Sequence, residues 1–377
     1  MMPVILELNK RKYELSYNAD VSFLQKKIDL AEKEHRRPYE DFSDPEMLQY
    51  YLYRQTHLDK RNDRTERTVR EYERELSLFI KQLLTYGAEI DVDLDYVVEG
   101  SLFKSLAPRH IRRYQEWLAG KSPYVLKKGS YSPATLSRKT TIIKSFLHFL
   151  YKTEYIEKPL HHALLTATVR KDDRPDRDLG PQEVVALLDY FKSIQHPIVF
   201  GIIHVLTVTG IRNEEFCTLK VSSLKYDSIT QQYYLDVLGK GNKRRRIPIK
   251  EKTYNNIKQF RAARGLQDLS EAERESPLFS TNTGRPYTPS YLTQYLTQQI
   301  EKSGLSFLKH RNNKIGPHTF RHAFAIISRL SKIDIYEIQR SLGHERIETT
   351  TIYLEKVFEK EQHAIQSWNS DMLADYI

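Results

Sequence analysis

The chain has 377 residues, with 59 lysines and arginines against 49 aspartates and glutamates and a formal net charge of +10. This length is ample for two domains, and the basic excess suits a polyanionic partner without establishing one. The single cysteine, Cys217, excludes an intramolecular disulfide and disfavours a cysteine-based metal site, so we expect a reducing, cytoplasmic setting.

No segment is predicted to cross a membrane or to direct secretion. The most apolar run, residues 197–211, is interrupted by His204 and is too short to span a bilayer. The first residues, MMPVILELNKRKYEL, lack the long apolar centre of a signal peptide. No basic helix carries a broad uncovered apolar face of the kind that binds membrane surfaces. We therefore expect a soluble protein that stays where it is made.

Residues 1–60 are predicted to form an N-terminal helical extension of unknown role. They contain 10 basic and 11 acidic side chains, so they are not an electrostatic DNA-binding arm. Short helices are predicted near 24–31 and 47–53, with Pro38 and Pro45 between them. The pattern is compatible with packing on the residues that follow and with contact to a neighbouring subunit.

Residues 61–168 are predicted to form a compact helical bundle with a basic surface. Residues 61–175 contain 21 basic and 15 acidic side chains, and apolar residues recur at helical spacing. Three or four helices are predicted, among them one from Thr65 or Thr68 to Gly87, one over 108–118 and one over 133–151. Basic residues expected on the outside include Arg112, Arg113, Arg138 and Lys139. For any one of them, an ordinary solvated helix face is the simpler interpretation.

A charged stretch, residues 169–178, is predicted to be a linker. Eight charged side chains fall between Arg170 and Asp178, and almost no apolar residue interrupts them. Beyond this stretch, Pro181 suits the first turn of a new helix. We therefore expect a second domain over 179–377.

An arginine follows a glycine turn early in this second domain. An apolar helix is predicted to end at Thr209-Gly210, and Arg212 then stands where the next helix opens. Free backbone N–H groups and the helix dipole favour an anion at that place. Glu215 lies three residues on and on the same face, so a salt bridge between the two side chains is also expected.

A basic β-hairpin is predicted next. Tyr233 to Val237 alternate as in a strand, residues 239–242 form a turn, and 246–249 return. The tip carries Lys240, Lys243, Arg244 and Arg245. A lysine can donate its proton, whereas an arginine stays protonated in proteins. Taken alone, such a tip is also typical of an ordinary soluble turn.

The stretch from 316 to 354 brings several chemically active side chains together. His318 and Arg321 are three residues apart and share a helix face. Gly343 is predicted to cap a short helix and to deliver His344, and Tyr353 follows nine residues later. Histidines, an arginine and a tyrosine on short helices predict an anion-binding site with a nucleophile.

These motifs resemble the tyrosine recombinase (phage integrase) family. Its C-terminal signature is matched by HTFR at 318–321, LGH at 342–344 and TTTIY at 349–353. The stretches TGIRNEEFCTL and GKGNKRRRIP look like its first arginine box and its lysine hairpin. The resemblance covers about 178–360 by motif and 61–166 by architecture only, and it does not cover residues 1–60.

The resemblance implies a fold and a set of site residues. The expected fold is mainly α with a small antiparallel β-sheet (α+β), with a helical core DNA-binding domain and a catalytic domain that ends in an oligomerisation tail. The implied catalytic residues are Arg212, Lys240, His318, Arg321, His344 and Tyr353, with Glu215 in support. The implied DNA contacts are Lys243, Arg244, Arg245, Arg138, Lys139, Arg112 and Arg113. No cofactor and no metal are implied.

The implied function is site-specific DNA recombination through a covalent 3′-phosphotyrosine and a Holliday junction. The implied partners are double-stranded DNA, further copies of the chain in a tetramer, and an accessory DNA-bending or directionality protein. Two alternatives remain open at this point: a type IB topoisomerase, which shares this chemistry, and a non-catalytic DNA-binding protein. The sequence does not distinguish integration, excision, inversion and dimer resolution.

Overall fold

The computed structural model describes residues 19–59, 63–93, 98–170, 177–239 and 243–361. The chain divides into two compact units, Met1–Arg174 and Pro175–Ile377. This division falls inside the stretch 169–178 for which we predict a linker, although 171–176 lie outside the described residues. The C-terminal tail beyond 361 also lies outside them.

The first unit is a helical bundle around one hydrophobic core. Its described α-helices are α1 Ser22–Lys33, α2 Asp44–Tyr53, α3 Glu66–Thr85, α4 Leu102–Ser105, α5 Pro108–Gly120, α6 Pro123–Lys128 and α7 Pro133–Lys152. The apolar stripe of α3, from Val69 to Leu83, is buried as its spacing predicted. The Thr65 hydroxyl caps α3 by accepting a hydrogen bond from the Thr68 amide at 3.3 Å.

The N-terminal helices α1 and α2 belong to this core. Leu24 and Met47 are fully buried in the same apolar cluster as Phe79 and Phe146. Of the two arrangements that the sequence left open for this segment, packing on the following helices is therefore present in the structure.

A buried carboxylate also ties this segment to the bundle. Asp44 accepts hydrogen bonds from the Ser101 hydroxyl at 2.5 Å, the Leu102 amide at 2.7 Å and the Tyr155 phenol at 2.7 Å. The Leu102 amide belongs to the first turn of α4, where amides have no partner inside the helix. Because all of these groups are buried, losing the carboxylate would leave several donors unsatisfied.

The second unit combines eight described helices with one small sheet. Its α-helices are α8 Pro181–Ser193, α9 Pro197–Thr209, α10 Asn213–Cys217, α11 Glu251–Ala263, α12 Pro289–Lys302, α13 Pro317–Leu330, α14 Ile335–Leu342 and α15 Ile347–Glu361. Its strands are β1 Leu224–Asp227, β2 Gln232–Leu238 and β3 Arg244–Ile249. The predicted fold class, mainly α with a small antiparallel sheet, is confirmed.

The sheet contains the predicted hairpin and one further strand. The strand order is β1-β2-β3, all antiparallel, with Leu235 opposite Ile247 and Val237 opposite Arg245. Leu235, Val237 and Ile247 are buried, so alternate residues of β2 and β3 face the core. The loop between β2 and β3 contains Lys240, which lies with 241 and 242 outside the described residues.

Helix α9 forms the centre of the second unit. It is apolar on all sides, and Val199, Ile202 and Leu206 are fully buried among the surrounding helices and the sheet. Within the described ranges, neither this helix nor any other combines the length and the apolar character that a bilayer crossing requires. The helix ends at Gly210, whose φ of 58° is left-handed.

A small separate cluster supports the last two helices. One face of α13 joins the main core through Phe320 and Ala323, whereas Ala325 and Ile326 pack with Leu342 of α14 and Leu354 of α15. Helix α14, which leads to His344, and helix α15, which carries Tyr353, therefore pack on a small cluster apart from the main core.

We predict that Gly210→Ala lowers the free energy of unfolding by about 3 kcal/mol, as measured by urea denaturation. A β-carbon at this position would lie 2.8 Å from side-chain atoms of both Leu342 and Phe324, and the left-handed backbone adds a further cost. Gly265→Ala is the matched control, since φ is +67° there and a β-carbon would meet nothing within 4 Å. Equal losses for the two variants would show that the close packing at Gly210 does not matter.

Candidate active site

Arg212 lies at the N-cap of α10, where the chain leaves the glycine turn. Its guanidinium donates to Glu215 Oε1 at 2.8 Å and to the carbonyl oxygen of Gly343 at 2.9 Å. Its backbone amide donates to Glu215 Oε2 at 2.8 Å. The side chain is 32 % exposed, so the guanidinium is held at both sides yet remains open to solvent.

Glu215 is buried between two arginines. Besides Arg212, it binds Arg245 through two hydrogen bonds of 2.8 and 2.7 Å. Burial favours the neutral acid, but hydrogen bonds from Arg245 and Arg212 prevail and lower the pKa of Glu215 to about 2. The salt bridge expected from the sequence between Arg212 and Glu215 is therefore present, and Arg245 extends it into a triad.

Arg245 does not lie where the DNA-contact prediction requires it. That prediction placed it on an exposed hairpin tip, whereas its side chain is 15 % exposed and its guanidinium is engaged by Glu215. Pairing with Val237 directs this residue to the inner face of β3, where a charge needs a buried partner. We therefore assign Arg245 to the support of Glu215 and Arg212.

Arg321 is almost fully buried, at 1 % exposure. Its guanidinium donates to the carbonyl oxygens of Gly210 and Leu342, both at 2.6 Å. Burial, and then the nearby charge of Arg212, lower the pKa of Arg321 to about 10, so it stays cationic near neutral pH. The two arginines thus bind consecutive carbonyls, at positions 342 and 343, in the turn that ends α14.

Three imidazoles surround the phenol of Tyr353. The Tyr353 hydroxyl lies 3.5 Å from His318 Nε2. The His318 and His344 rings meet the phenol edge-on, with centroids 5.8 and 5.1 Å away and interplanar angles of 84°. The His322 ring lies over the phenol at 3.6 Å between centroids and 17° between planes. The tyrosine of this chain therefore reaches the histidines of the same chain.

His344 is fixed by a neighbouring hydroxyl. Its Nδ1 lies 3.0 Å from Oγ1 of Thr350. Thr350 is a buried residue of α15, three positions before Tyr353. Burial and the charges of Arg321 and Arg212 lower the pKa of His344 to about 3. A neutral ring bound at Nδ1 retains Nε2 for another partner.

The other two histidines are also kept neutral. Burial, followed by the charges of Arg177, Arg321 and Arg212, lowers the pKa of His318 to about 4. Burial and neighbouring cations lower the pKa of His322 to about 3. At neutral pH the site therefore combines permanent guanidinium charges with uncharged imidazoles that can accept a proton.

His322 is the site residue that the sequence prediction missed. It directly follows Arg321 and lies four residues from His318, so both histidines occupy the same face of α13. The spacing could have indicated it, but the assigned pattern used only His318 and Arg321.

Lys240 lies outside the described residues. The residue before it, Gly239, lies close to Glu215 and Arg245. A β-carbon at Gly239 would lie 3.2 Å from Glu215 Oε1 and 3.3 Å from an Arg245 nitrogen. Gly239 N also donates to the carbonyl of Lys243 at 2.8 Å. The hairpin loop therefore begins beside Glu215.

The remaining predicted DNA contacts are surface residues with one exception. Lys139 is 13 % exposed, bonds Glu75 at 2.5 Å and lies over the Tyr131 ring, so burial against its carboxylate partner argues against a DNA contact in this conformation. The others have larger exposed fractions, and most pair with carboxylates: Lys243 with Glu345, Arg244 with Asp236, Arg138 with Glu71, and Arg113 with Asp91 and Asp93, while Arg112 is exposed. Their contact with DNA stays a prediction.

The assembled site is suited to a phosphodiester. Two guanidinium groups can bind non-bridging oxygens, a phenol can attack, and neutral imidazoles can receive its proton. Among the described side chains there is no group of three or more histidines, cysteines, aspartates or glutamates arranged to hold a metal ion.

Comparison with known proteins gives a family match within the second unit. Residues 177–360 match the phage integrase family. The chain is 26 % identical over 309 residues to the tyrosine recombinase XerC of Pediococcus pentosaceus (strain ATCC 25745 / CCUG 21536 / LMG 10740 / 183-1w), covering 81 % of this chain and 92 % of that protein.

Solved structures show the same fold. A XerH site-specific recombinase bound to a palindromic difH substrate in a post-cleavage complex aligns with a TM-score of 0.60 at 17 % identity, covering 97 % of this chain and 94 % of that one. A lambda integrase tetramer bound to a Holliday junction aligns with a TM-score of 0.56 at 14 % identity, covering 78 % and 72 %.

We predict that Glu215→Gln lowers the free energy of unfolding by about 3 kcal/mol or more in urea denaturation, because two cations lose a buried anion. The control is Glu275→Gln, whose pair with Lys220 lies on the surface and is screened by solvent, so this change should affect stability far less than Glu215→Gln. Similar small effects for both variants would contradict a supporting role for Glu215.

We also predict that stability falls as the pH is lowered below about 6.5. The pKa values of His322 and His344 are depressed in the folded protein, so their contribution is complete above the unfolded value and is lost as the pH falls toward about 3. Near pH 5, each of these two histidines should lower the free energy of unfolding by about 1.4 kcal/mol for every unit by which the pH falls.

The pH test compares wild type with His344→Gln. The free energy of unfolding is measured at each pH by urea denaturation, followed by circular dichroism. At pH 5 it should rise with pH less steeply in the variant than in wild type, by about 1.4 kcal/mol per pH unit, which corresponds to one bound proton. At pH 8 the two slopes should agree. An unchanged slope at pH 5 would mean that His344 titrates alike in the folded and unfolded chain.

Proposed function

We propose a reaction for this chain from the premise that it belongs to the phage integrase family and is a tyrosine site-specific recombinase, a DNA strand transferase. Its substrate is double-stranded DNA, which it cuts and rejoins at specific sites. The observation that carries the proposed mechanism is the position of Tyr353, whose hydroxyl lies 3.5 Å from His318 while its ring is enclosed by His322 and His344.

The first proposed step is binding of the scissile phosphate by Arg212 and Arg321. Each guanidinium has five N–H donors and uses only part of them on protein oxygens in this structure. The remaining donors can bind the two non-bridging oxygens and stabilise the charge that grows in the transition state. Glu215 and the carbonyls at 342–343 already hold the guanidiniums, so the orientation of both groups is set before DNA binds.

The second proposed step is attack by Tyr353. The bond from its Oη to phosphorus forms, the bond from phosphorus to the 5′ oxygen breaks, and a 3′-phosphotyrosine results. His318 accepts the phenol proton, since it is neutral and within reach of the hydroxyl. Lys240 protonates the leaving 5′ oxygen, and His344 donates from Nε2 to the phosphate.

Religation reverses these steps. A 5′ hydroxyl from a second DNA strand attacks the phosphotyrosine, phosphorus returns to a DNA oxygen, and Tyr353 recovers its proton. Exchange of two strands at two sites requires several copies of the chain, and we propose a tetramer that passes through a Holliday junction, by analogy with the lambda integrase assembly of similar fold. An accessory DNA-bending or directionality protein is part of this proposal.

We predict that Tyr353→Phe abolishes covalent attachment to DNA. The experiment expresses tagged protein in cells, denatures it in SDS, recovers the protein under denaturing conditions and sequences any DNA that stays attached. Wild type should retain DNA joined through a 3′ end to Tyr353, which also reveals the target site.

Tyr336→Phe is the matched control, since this tyrosine is exposed on α14 and should leave the adduct unchanged. Equal adduct in wild type and Tyr353→Phe would exclude Tyr353 as the nucleophile. A type IB topoisomerase reaction would be indicated instead if the protein relaxed a supercoiled plasmid that carries one recovered site but did not exchange strands between two such sites.

A further inference from the structure

His322 makes the closest ring contact with the nucleophile. Its imidazole lies face to face with the Tyr353 phenol at 3.6 Å and 17°, whereas His318 and His344 approach that phenol only by an edge. Of the three imidazoles, only His322 therefore covers a face of the phenol and limits rotation of the Tyr353 side chain.

His322 is also placed differently with respect to hydrogen bonds. His318 Nε2 lies near the Tyr353 hydroxyl and His344 Nδ1 near Thr350, but both ring nitrogens of His322 have no hydrogen-bond partner among the described residues. The residue is nevertheless 92 % buried, being 8 % exposed. Its orientation is thus set by ring contacts, namely the stack on Tyr353 and an edge contact with His318 at 5.0 Å and 83°.

The helix that carries Tyr353 has limited support of its own. It packs through Leu354 on a small apolar cluster with Ala325, Ile338 and Leu342, apart from the main core. Tyr353 itself is only partly buried. A stacked ring from α13, which does belong to the main core through Phe320, therefore provides a firm surface against which the phenol can rest.

We propose that His322 is a positioning residue for the nucleophile: its imidazole face holds the Tyr353 phenol so that the hydroxyl is directed to His318. The inference rests on the role of Tyr353 proposed above. His322 acts through the tyrosine ring, and its two nitrogens take no part in moving the proton.

The charges around His322 are consistent with this role. Burial keeps the pKa of the His322 ring low, and the neighbouring His318, Arg177, Arg321 and His344 lower it further. The face presented to the phenol is therefore that of a neutral aromatic ring. Face-to-face contact between neutral rings depends on a flat π-surface, so another flat ring should replace it and a branched aliphatic side chain of similar size should not.

The first test needs no DNA. Wild type, His322→Phe and His322→Leu are prepared with 3-fluorotyrosine at position 353, and the fluorine resonance is recorded by NMR. The stack should shift the resonance upfield in wild type and in His322→Phe, and the shift should be lost in His322→Leu. Loss of the shift in His322→Phe, or its retention in His322→Leu, would overturn the proposal whatever the activity of the protein.

The second test measures single-turnover formation of the covalent adduct on the DNA site recovered with wild type, together with binding by gel shift. His322→Leu should form the adduct about tenfold more slowly with unchanged affinity, and His322→Phe should stay within about threefold of wild type. The dependence of the rate on pH should keep its shape in His322→Phe. Circular dichroism confirms that each variant is folded.

The outcomes separate this inference from the proposed function. If His322→Phe is as slow as His322→Leu, or if its pH profile changes, the ring nitrogens matter and the positioning role is wrong. If His322→Leu is as fast as wild type, the stack is unimportant. If wild type forms no adduct while the fluorine shifts behave as expected, the contact exists and it is the proposed reaction that fails.

Discussion

The site depends on one buried anion, Glu215. It accepts two hydrogen bonds from Arg245, one from the guanidinium of Arg212 and one from the amide of Arg212. Burying the Glu215 carboxylate or the Arg245 guanidinium without a partner would carry a large unfavourable desolvation free energy. Close pairing of the two groups offsets it. Arg212 is therefore held in place by the protein, and in the proposed reaction the phosphate meets a cation whose orientation is already set.

The second arginine is held by backbone dipoles in place of a carboxylate. Arg321 and Arg212 bind the carbonyls of Leu342 and Gly343, at the end of α14 where the helix dipole is negative. These carbonyls reduce the repulsion between two neighbouring cations without neutralising either one. The same turn leads to His344, so movement of one group of the site would displace the others.

Charge is divided between two kinds of side chain. The guanidiniums keep their charge near neutral pH, and their field together with burial keeps the imidazoles of His318, His322 and His344 neutral. In the proposed reaction the permanent cations bind the phosphate, while the neutral ring of His318 receives the proton of Tyr353. Three similar histidines then differ by geometry: one meets the hydroxyl, one binds a threonine, and one covers the ring.

The sequence by itself determined the local features. The caps at Gly210 and Gly343, the hairpin, the short helices and the pairing of Arg212 with Glu215 all follow from spacings of a few residues, over which the backbone alone decides which side chains meet. Only the tertiary structure decided that Arg245 turns inward to a glutamate 30 positions away and that His322 covers Tyr353. Those contacts depend on which faces of distant elements pack together, and periodicity along one element carries no information about its partner.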